Sequence, residues 1–440
     1  MRDTGHILVN VSCDAYQGVH RATLSNERVS GVIDRLAKTP GIDLRQTVPV
    51  LFTRCPAAHL ATLDASDRAT AAITEDERRE ADGGLTERAI MLEALLENLH
   101  VFIVEAARLL DEPFRSEPVG DYADLRGRFG PVLHVLGGFR MVTANVDPAA
   151  IARGHSLIDE LARAADALME RAIFGMSPDV FLETVMTSDA YDAWIESGPQ
   201  TAAAALVRRC DALSQALGAI DVPLLPGVDS PDTLAFADEM FSRLRNERGF
   251  DMAPVWQRSP ALTGSLSRQA TEPLVADIRQ RSGLTIRTAL AARLFETAAF
   301  CRMLRESRGL APAYRLYSLR CEEQSGAVAM VQTARGLLTH ATGYRFTQTG
   351  LERFHAIVSP TEWQFAPEGA GQQALNAALR HLRRSDPHAD DPTITSIVRL
   401  ALFPLDPCVP LDVKIRRAVA ESVIRKPPIG IDAASGFLHG

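Results

Sequence analysis

The chain has 440 residues and a formal net charge of −8, with 46% hydrophobic and 23% charged residues. These proportions are typical of a folded protein with a large core, and the acidic balance argues against a general nucleic-acid-binding surface. No stretch of 18 residues is free of charge and strong polarity, and the start lacks a secretory pattern, so we expect no membrane span and no signal peptide.

The hydrophobic pattern predicts a β-hairpin over residues 7–24 and a short helix over residues 30–37. Residues 74–84 are charged and contain glycine, which favours an exposed loop. The strongest helical periodicity runs over residues 85–110, where apolar residues recur every three or four positions. An apolar helix of this length indicates a large helical core.

The second half of the chain combines helices with a small β-region. Helices are predicted over residues 148–173, 200–217, 230–248, 287–306, 372–384 and 393–402, and short strands over residues 327–331, 336–341 and 354–358. Prolines 404, 407 and 410 then favour an extended segment. We find no internal repeat or linker. The prediction is one mainly helical (α+β) domain over residues 1–440, with small β-elements at its N-terminus and near residues 325–360.

The cysteines do not form a recognisable metal or disulfide pattern. They are Cys13, Cys55, Cys210, Cys301, Cys321 and Cys408. None belongs to a C-x-x-C pair, which argues against zinc ribbons, thioredoxin-type sites and ordinary iron–sulfur motifs. Scattered cysteines of this kind indicate that the protein resides in a reducing cytoplasm. The simplest role of each is that of a small buried hydrophobic side chain.

Two short segments near opposite ends of the chain carry the residues best suited to metal chemistry. Residues 54–59 read Arg-Cys-Pro-Ala-Ala-His, and residues 406–410 read Asp-Pro-Cys-Val-Pro. A cysteine beside a proline is common, so neither segment is specific when taken alone. Each lies in a predicted turn next to a long helical region, and this shared setting makes the pair informative.

The two segments resemble the metal-binding motifs of the large subunit of nickel–iron hydrogenases, R-x-C-G-x-C-P-x-x-H and D-P-C-x-x-C-x-x-H. In that family four cysteines hold a nickel–iron centre whose iron carries two cyanides and one carbon monoxide. Further stretches are similar to family motifs in the same order: residues 5–9, Gly137-Gly138, and residues 263–268, 334–340 and 360–364. The resemblance implies the hydrogenase large-subunit fold, built on long central helices.

The departures from the family pattern fall on the metal ligands. The positions of two cysteines, the final histidine and an acidic residue near the start are taken here by Phe52, Leu411, Lys414 and Thr4. Phenylalanine and leucine do not bind metals, and threonine does not replace a carboxylate in acid–base chemistry. The resemblance therefore implies a protein that is not an enzyme and takes no nickel. It also implies that the tail to Gly440, which the family removes, is kept.

Apart from Cys408, the retained residues correspond to those that hold the iron unit in the family. The resemblance places Cys55 at the bridging position, which contacts iron, and Cys408 at a terminal position on nickel. It assigns Arg335 and Thr361 to the donors that hydrogen-bond the cyanides, and His59 to a partner of the Cys55 thiolate. We expect Cys55, with or without Cys408, to bind the metal. Each also has a purely structural interpretation. Arg335 could be an ion-pair residue of the fold, Thr361 a turn cap, His59 a satisfied buried histidine, and the cysteines small apolar side chains.

Accessory proteins of the HupK and HoxV type resemble degenerate large subunits, and this sequence looks like one of them. The resemblance implies a maturation scaffold or chaperone that transiently carries or helps assemble the Fe(CN)2CO unit. Its partners would be hydrogenase maturation factors and the large-subunit precursor, with no nucleic acid. The alternative is a metal-free mimic of the large subunit that binds maturation factors or hydrogenase subunits. Two thiolates on one iron lie roughly 4–6 Å apart, so Cys55, Cys408 and Arg335 are expected to face one cavity.

Overall fold

The computed structural model describes nine stretches of the chain: residues 5–14, 18–29, 31–110, 116–138, 147–197, 200–306, 314–321, 326–348 and 350–417. Within these stretches, no helix combines the length and apolar character needed to cross a bilayer.

The N-terminal part begins with the predicted hairpin, formed by β1 (Ile7–Asp14) and β2 (Gly18–Asn26) in antiparallel pairing. Helices α1 (Val32–Ala37), α2 (Leu44–Leu51) and α3 (Pro56–Thr70) follow. The predicted loop over residues 74–84 is wrong, because helix α4 (Glu75–Asp82) occupies it. A reciprocal capping box between Thr74 and Glu77 begins this charged helix.

The helix predicted over residues 85–110 is continuous but not uniform. It consists of α5 (Leu85–Leu99), a π-helical turn (His100–Glu105) and α6 (Ala106–Leu109). Every residue of α5 is buried, which explains its strong hydrophobicity. Further helices surround it in chain order: α7 (Ser116–Arg128), α8 (Gly130–Gly138), α9 (Pro148–Met169), α10 (Pro178–Thr184), α11 (Ser188–Ser197), α12 (Ala202–Leu217), α13 (Thr233–Asn246), α14 (Ser265–Arg268), α15 (Pro273–Ser282) and α16 (Ile286–Glu306). Gly137 and Gly138 thus end a helix, where the family motif would place a turn.

The predicted β-region is a four-stranded antiparallel sheet in the order β3 (Tyr317–Cys321), β4 (Gly326–Thr333), β5 (Gly336–Thr347) and β6 (Gly350–Val358). Helix α3 packs on β4 and β5. The turn between β4 and β5 approaches Thr263 closely. A Cβ atom on Gly336, whose φ is +134°, would lie 2.4 Å from the Thr263 side chain, so only glycine fits there.

The C-terminal part returns to the N-terminal hairpin. After α17 (Pro360–Gln364), α18 (Ala370–Ser385) and α19 (Asp391–Leu402), the chain forms β7 (Leu411–Arg417). This strand, which the sequence analysis does not predict, pairs in parallel with β1 and completes a sheet in the order β2-β1-β7. The mainly helical class with small β-elements is confirmed. The pairing of β7 also brings the two cysteine segments to the same side of the fold, next to the start of α3.

Candidate functional site

Cys55 lies at the start of α3, where it is the N-cap residue and is followed by a proline at the first helical position. Its side chain does not cap the helix. The carboxyl group of Glu93, on α5, accepts the backbone N–H groups of Ala57 and Ala58 at 2.8 and 3.1 Å. The positive end of α3 therefore faces a buried carboxyl group that lies beside the half-buried Cys55 thiol.

Cys408 is held by Thr361, the second residue of α17. The Thr361 hydroxyl donates to the Cys408 sulfur at 3.2 Å and accepts the Cys408 backbone N–H at 3.1 Å. Just before Cys408, Asp406 adopts a left-handed conformation with φ of 38°, which turns the chain toward the interior. The cysteine's position is thus set both by a sharp turn and by a reciprocal pair of hydrogen bonds.

One cavity of about 1000 Å³ joins the two cysteines. Cys55, Cys408, Arg335 and His59 all line it, as the shared-cavity expectation requires. Thr361 is fully buried behind this wall and its hydroxyl is directed at Cys408. Four of the five residues assigned by the resemblance therefore share one cavity, and the fifth supports one of its cysteines.

Arg335 is a buried guanidinium held by two carboxylates. Its Nη2 donates to Glu97 Oε2 at 3.0 Å, and its Nε lies 3.3 Å from Asp406 Oδ2. Burial alone would raise the pKa of Asp406, but Arg335 and Arg293 together hold it below its usual value. Arg335 thus has the ion-pair role that its structural interpretation requires. Its Nε–H is fully buried beside Asp406 and has no well-aligned acceptor, while the residue as a whole lines the cavity.

The acidic groups around Cys55 are strongly perturbed by burial. Burial, with a contribution from Glu93 and Cys408, raises the pKa of the Cys55 thiol well above its ordinary value, although Arg335 opposes the shift. Burial likewise raises the pKa of Glu93 to about 8, despite the two backbone hydrogen bonds that favour its ionised form. At neutral pH both groups are therefore predominantly protonated, and a metal that binds Cys55 must displace the thiol proton.

His59 is the first member of a chain of three buried imidazoles. Its Nδ1 lies 3.0 Å from His340 Nε2, and His340 Nδ1 lies 3.2 Å from His355 Nε2. Burial, followed by nearby Arg28, lowers the pKa of His59 to about 3, and burial lowers the pKa of His355 to about 4. Burial also holds the pKa of His340 well below its ordinary value. The three imidazoles are therefore uncharged at pH 7. His59 is thus satisfied by His340 and also lines the cavity.

The residues at the positions where the resemblance would place metal ligands differ in their surroundings. The ring of Phe52 stacks on His59, with centroids 3.8 Å apart and an interplanar angle of 14°, and it also lines the cavity. Leu411 packs against the apolar cluster beneath the N-terminal sheet, and Lys414 is exposed on β7. Thr4 and the tail beyond Arg417 lie outside the described residues.

The remaining cysteines play no part in the cavity. Cys13, Cys210, Cys301 and Cys321 are buried in the apolar clusters, as small hydrophobic side chains would be. Over the described stretches, no three histidine, cysteine, aspartate or glutamate side chains converge as ligands of one metal ion.

Five residues of this environment are missing from the sequence-based assignment. They are Arg28, Glu93, Glu97, His340 and His355. Glu93 and Glu97 carry a detectable signal, because two acidic residues one helical turn apart inside an apolar helix must have buried partners. His340 ends the motif-like stretch 334–340, so a motif signal was present for it. Arg28 and His355 lie in segments without a motif, and only the tertiary structure brings them to the cavity.

Comparison with known proteins supports the resemblance drawn from the motifs. The chain is 29% identical over 271 residues to the hydrogenase expression/formation protein HoxV of Cupriavidus necator, across 58% of this chain and 64% of HoxV. It is 30% identical over 228 residues to the hydrogenase expression/formation protein HupK of Rhizobium leguminosarum bv. viciae, across 50% of this chain and 54% of HupK. Each match spans less than two thirds of the relative. The prediction of similarity to the HupK and HoxV type is confirmed. No protein-family model matches the chain.

Solved structures of hydrogenases are similar over most of the chain. A chain of an NAD+-reducing NiFe-hydrogenase in the H2-reduced state has a TM-score of 0.49 and 14% identity, covering 89% of this chain and 93% of its own. A chain of the NiFeSe-hydrogenase from Dm. baculatum has a TM-score of 0.47 and 13% identity, covering 89% and 94%.

Proposed function

We propose that this chain is a non-catalytic hydrogenase-maturation protein of the cytoplasm that transiently holds the Fe(CN)2CO unit before it reaches the large-subunit precursor. The observation that carries the proposal is the convergence of Cys55, Cys408 and Arg335 on one cavity. The similarity to HoxV and HupK, both named as hydrogenase expression/formation proteins, supports a role in maturation.

The donor set of the cavity fits an iron unit that brings its own ligands. Two cysteines supply two sulfur atoms, while two cyanides and one carbon monoxide supply three further ligands to the iron. Cyanide nitrogen atoms carry negative charge and accept hydrogen bonds, and the guanidinium of Arg335, which lines the cavity, is a cationic donor suited to them. The cavity is also much larger than a single metal ion needs.

The two sulfur atoms differ in ways that suit temporary binding. Burial and the neighbouring Glu93 raise the pKa of the Cys55 thiol. A bond from this sulfur to iron therefore displaces a tightly bound proton. Cys408 already receives a hydrogen bond from Thr361, a contact that stabilises a sulfur carrying negative charge. Returning a proton to Cys55 would weaken the complex, and a carrier requires such a release.

The positions of two missing thiols argue against a nickel–iron enzyme. Phe52 fills one of them with an aromatic ring stacked on His59, and Leu411 is packed into an apolar cluster. Neither side chain has an atom that binds a metal ion, so these two positions provide no ligand for a second metal.

A metal-free mimic of the large subunit is the second candidate, and one observation favours it. Arg335 has carboxylate partners and Thr361 is engaged by Cys408, so both residues are accommodated without any cargo. In that case the cavity would serve only to preserve the shape that maturation factors recognise.

Transfer of labelled iron tests the carrier role. The protein is produced in cells that contain the maturation machinery and are grown with radioactive iron, and it is purified anaerobically. It is then mixed with a hydrogenase large-subunit precursor, and the two proteins are separated again. We expect iron to pass from the wild-type protein to the precursor. Cys55→Ala and Cys408→Ala should carry little iron, whereas Cys210→Ala, a buried cysteine outside the cavity, should carry the wild-type amount. A folded protein that binds the precursor without carrying iron would establish the metal-free mimic.

A further inference from the structure

Arg28, which follows β2, is a second guanidinium at the cavity and has no counterpart among the residues assigned above. Its side chain is 14% exposed and lines the cavity together with Cys55 and Cys408. Because it lines the same cavity, negative charge on either sulfur atom would favour its cationic form. Arg335 interacts with both sulfur atoms in the same manner.

The capping box of α17 fixes Arg28 through one nitrogen only. Nη1 donates to Ser359 Oγ at 2.7 Å and to Glu362 Oε1, while Glu362 Oε2 accepts the Ser359 backbone N–H at 3.0 Å. Among the described residues, no acceptor meets Nη2 or Nε of Arg28, and neither atom is among the fully buried ones without a partner. The N–H groups on these two nitrogens are therefore free to bind a ligand in the cavity.

Arginines are concentrated around the sulfur atoms. Five of them, Arg28, Arg54, Arg126, Arg293 and Arg335, pair with the carboxylates of Glu97, Glu362 and Asp406. Guanidinium groups clustered in this way favour an anionic occupant.

We propose that Arg28 and Arg335 together form a paired-guanidinium site for the two cyanides of an iron unit bound by both cysteines. The inference rests on the proposed function for the identity of the cargo. Ferrous iron with two cyanides and one carbon monoxide is neutral, and two thiolates bring the complex to a charge of −2. Such an anion suits a cavity lined by the guanidinium groups of Arg28 and Arg335. Thr361, whose hydroxyl is held by Cys408, supports the sulfur, and Arg28 supplies the second cyanide donor.

Titration with hexacyanoferrate(II) tests Arg28 independently of iron loading. This inert iron–cyanide anion offers cyanide nitrogens without forming bonds to the thiols, and its binding to the purified chain is measured by calorimetry. Arg28→Gln should weaken binding roughly tenfold or more, because a charge-assisted hydrogen bond is lost. Arg345→Gln is the matched control. Arg345 also lines the cavity, carries the same charge and is paired with Asp34 at 3.2 Å. Its substitution should change the affinity for hexacyanoferrate(II) less than about twofold. A larger change would show that the net charge of the cavity, and not a specific contact, controls binding.

The infrared spectrum of iron-loaded protein provides the second readout. Arg28→Gln should shift a cyanide band while the iron content is retained. Arg28→Lys keeps the positive charge but lacks the planar guanidinium with its several N–H donors, and it should have a smaller effect on both measurements. Equal titrations for Arg28→Gln and Arg345→Gln, or no hexacyanoferrate binding by the wild type, would overturn the assignment of Arg28. Wild-type protein without iron-bound cyanide bands would instead overturn the proposed function, and the titration would still decide the role of Arg28.

Discussion

Thr361 and Cys408 form a reciprocal pair in which the hydroxyl donates to the sulfur at 3.2 Å and accepts the backbone N–H of the same cysteine at 3.1 Å. The two residues come from separate segments, one at the start of α17 and one in the turn before β7. Their contact fixes one sulfur atom of the cavity before any cargo arrives.

Thr361→Val should lower the free energy of unfolding by about 1–3 kcal/mol, because it removes both hydrogen bonds and leaves the buried Cys408 N–H without an acceptor. Urea denaturation measures this change. Thr361→Ser keeps the hydroxyl and should stay within about 1 kcal/mol of the wild type. Equal stability of the valine and serine variants would contradict the prediction.

Arg335→Leu should lower the free energy of unfolding by about 3 kcal/mol, because it leaves the buried carboxylates of Glu97 and Asp406 with less compensation. Glu97 keeps Arg54 and Arg126 and Asp406 keeps Arg293, which places the loss at the lower end for a broken buried pair. Adding Asp406→Asn to Arg335→Leu should recover part of the loss in a double-mutant cycle. Independent, additive effects of the two substitutions would show that the pair is not coupled.

The histidine chain predicts loss of stability in acid. The pKa values of His59 and His355 lie at about 3 and about 4 in the folded protein, below the ordinary 6.5. As pH falls below 6.5 the unfolded chain therefore takes up protons before the folded chain does, and the free energy of unfolding decreases. Each histidine contributes at most about 1.4 kcal/mol per pH unit between pH 6.5 and its folded pKa.

His355→Gln removes one of these titrating groups. Its unfolding free energy, measured in urea at pH 7, 6 and 5, should fall less steeply with decreasing pH than that of the wild type. Gln348→Asn, a change on the same cavity wall that removes no titrating group, is the control and should keep the wild-type slope. Parallel curves for His355→Gln and wild type would show that the buried imidazoles do not control the acid response.

Glu93 predicts an effect of opposite sign. Its folded pKa of about 8 lies above the ordinary 4.5, so between these values the folded chain holds a proton that the unfolded chain has released. Its contribution to stability is present in acid and is lost as pH rises through 8. Glu93→Gln, which stays neutral, should therefore lose less stability than the wild type between pH 6 and pH 9. An identical decline in both proteins would contradict the raised pKa.

Sequence periodicity predicts the long elements well because burial dominates them. Residues 85–110 form helix throughout, although the π-helical turn beginning at His100 has no signature in the apolar spacing. Helix α4 is missed because its charges are typical of a loop, yet Thr74 and Glu77 carry the spacing of a capping box. Strand β7 is missed because three prolines precede it, although Leu411, Val413 and Ile415 alternate as a half-buried strand should.

The site is predictable only where a motif carries it. Cys55, Cys408 and Arg335 belong to segments similar to family motifs, and these three residues line one cavity. The motif places Thr361 among the cyanide donors, whereas its contact in the structure is Cys408. Arg28 has no motif around it, because its position depends on how β2 meets the capping box of α17.

The most direct test of the carrier role is the infrared spectrum of the full chain, purified anaerobically from cells that contain the hydrogenase maturation machinery. If the chain carries the iron unit, the wild type shows stretching bands of iron-bound cyanide and carbon monoxide, Cys55→Ala loses them, and Cys210→Ala retains them. A folded wild-type protein that shows none of these bands, or bands that persist when Cys55 and Cys408 are both replaced by alanine, would contradict it.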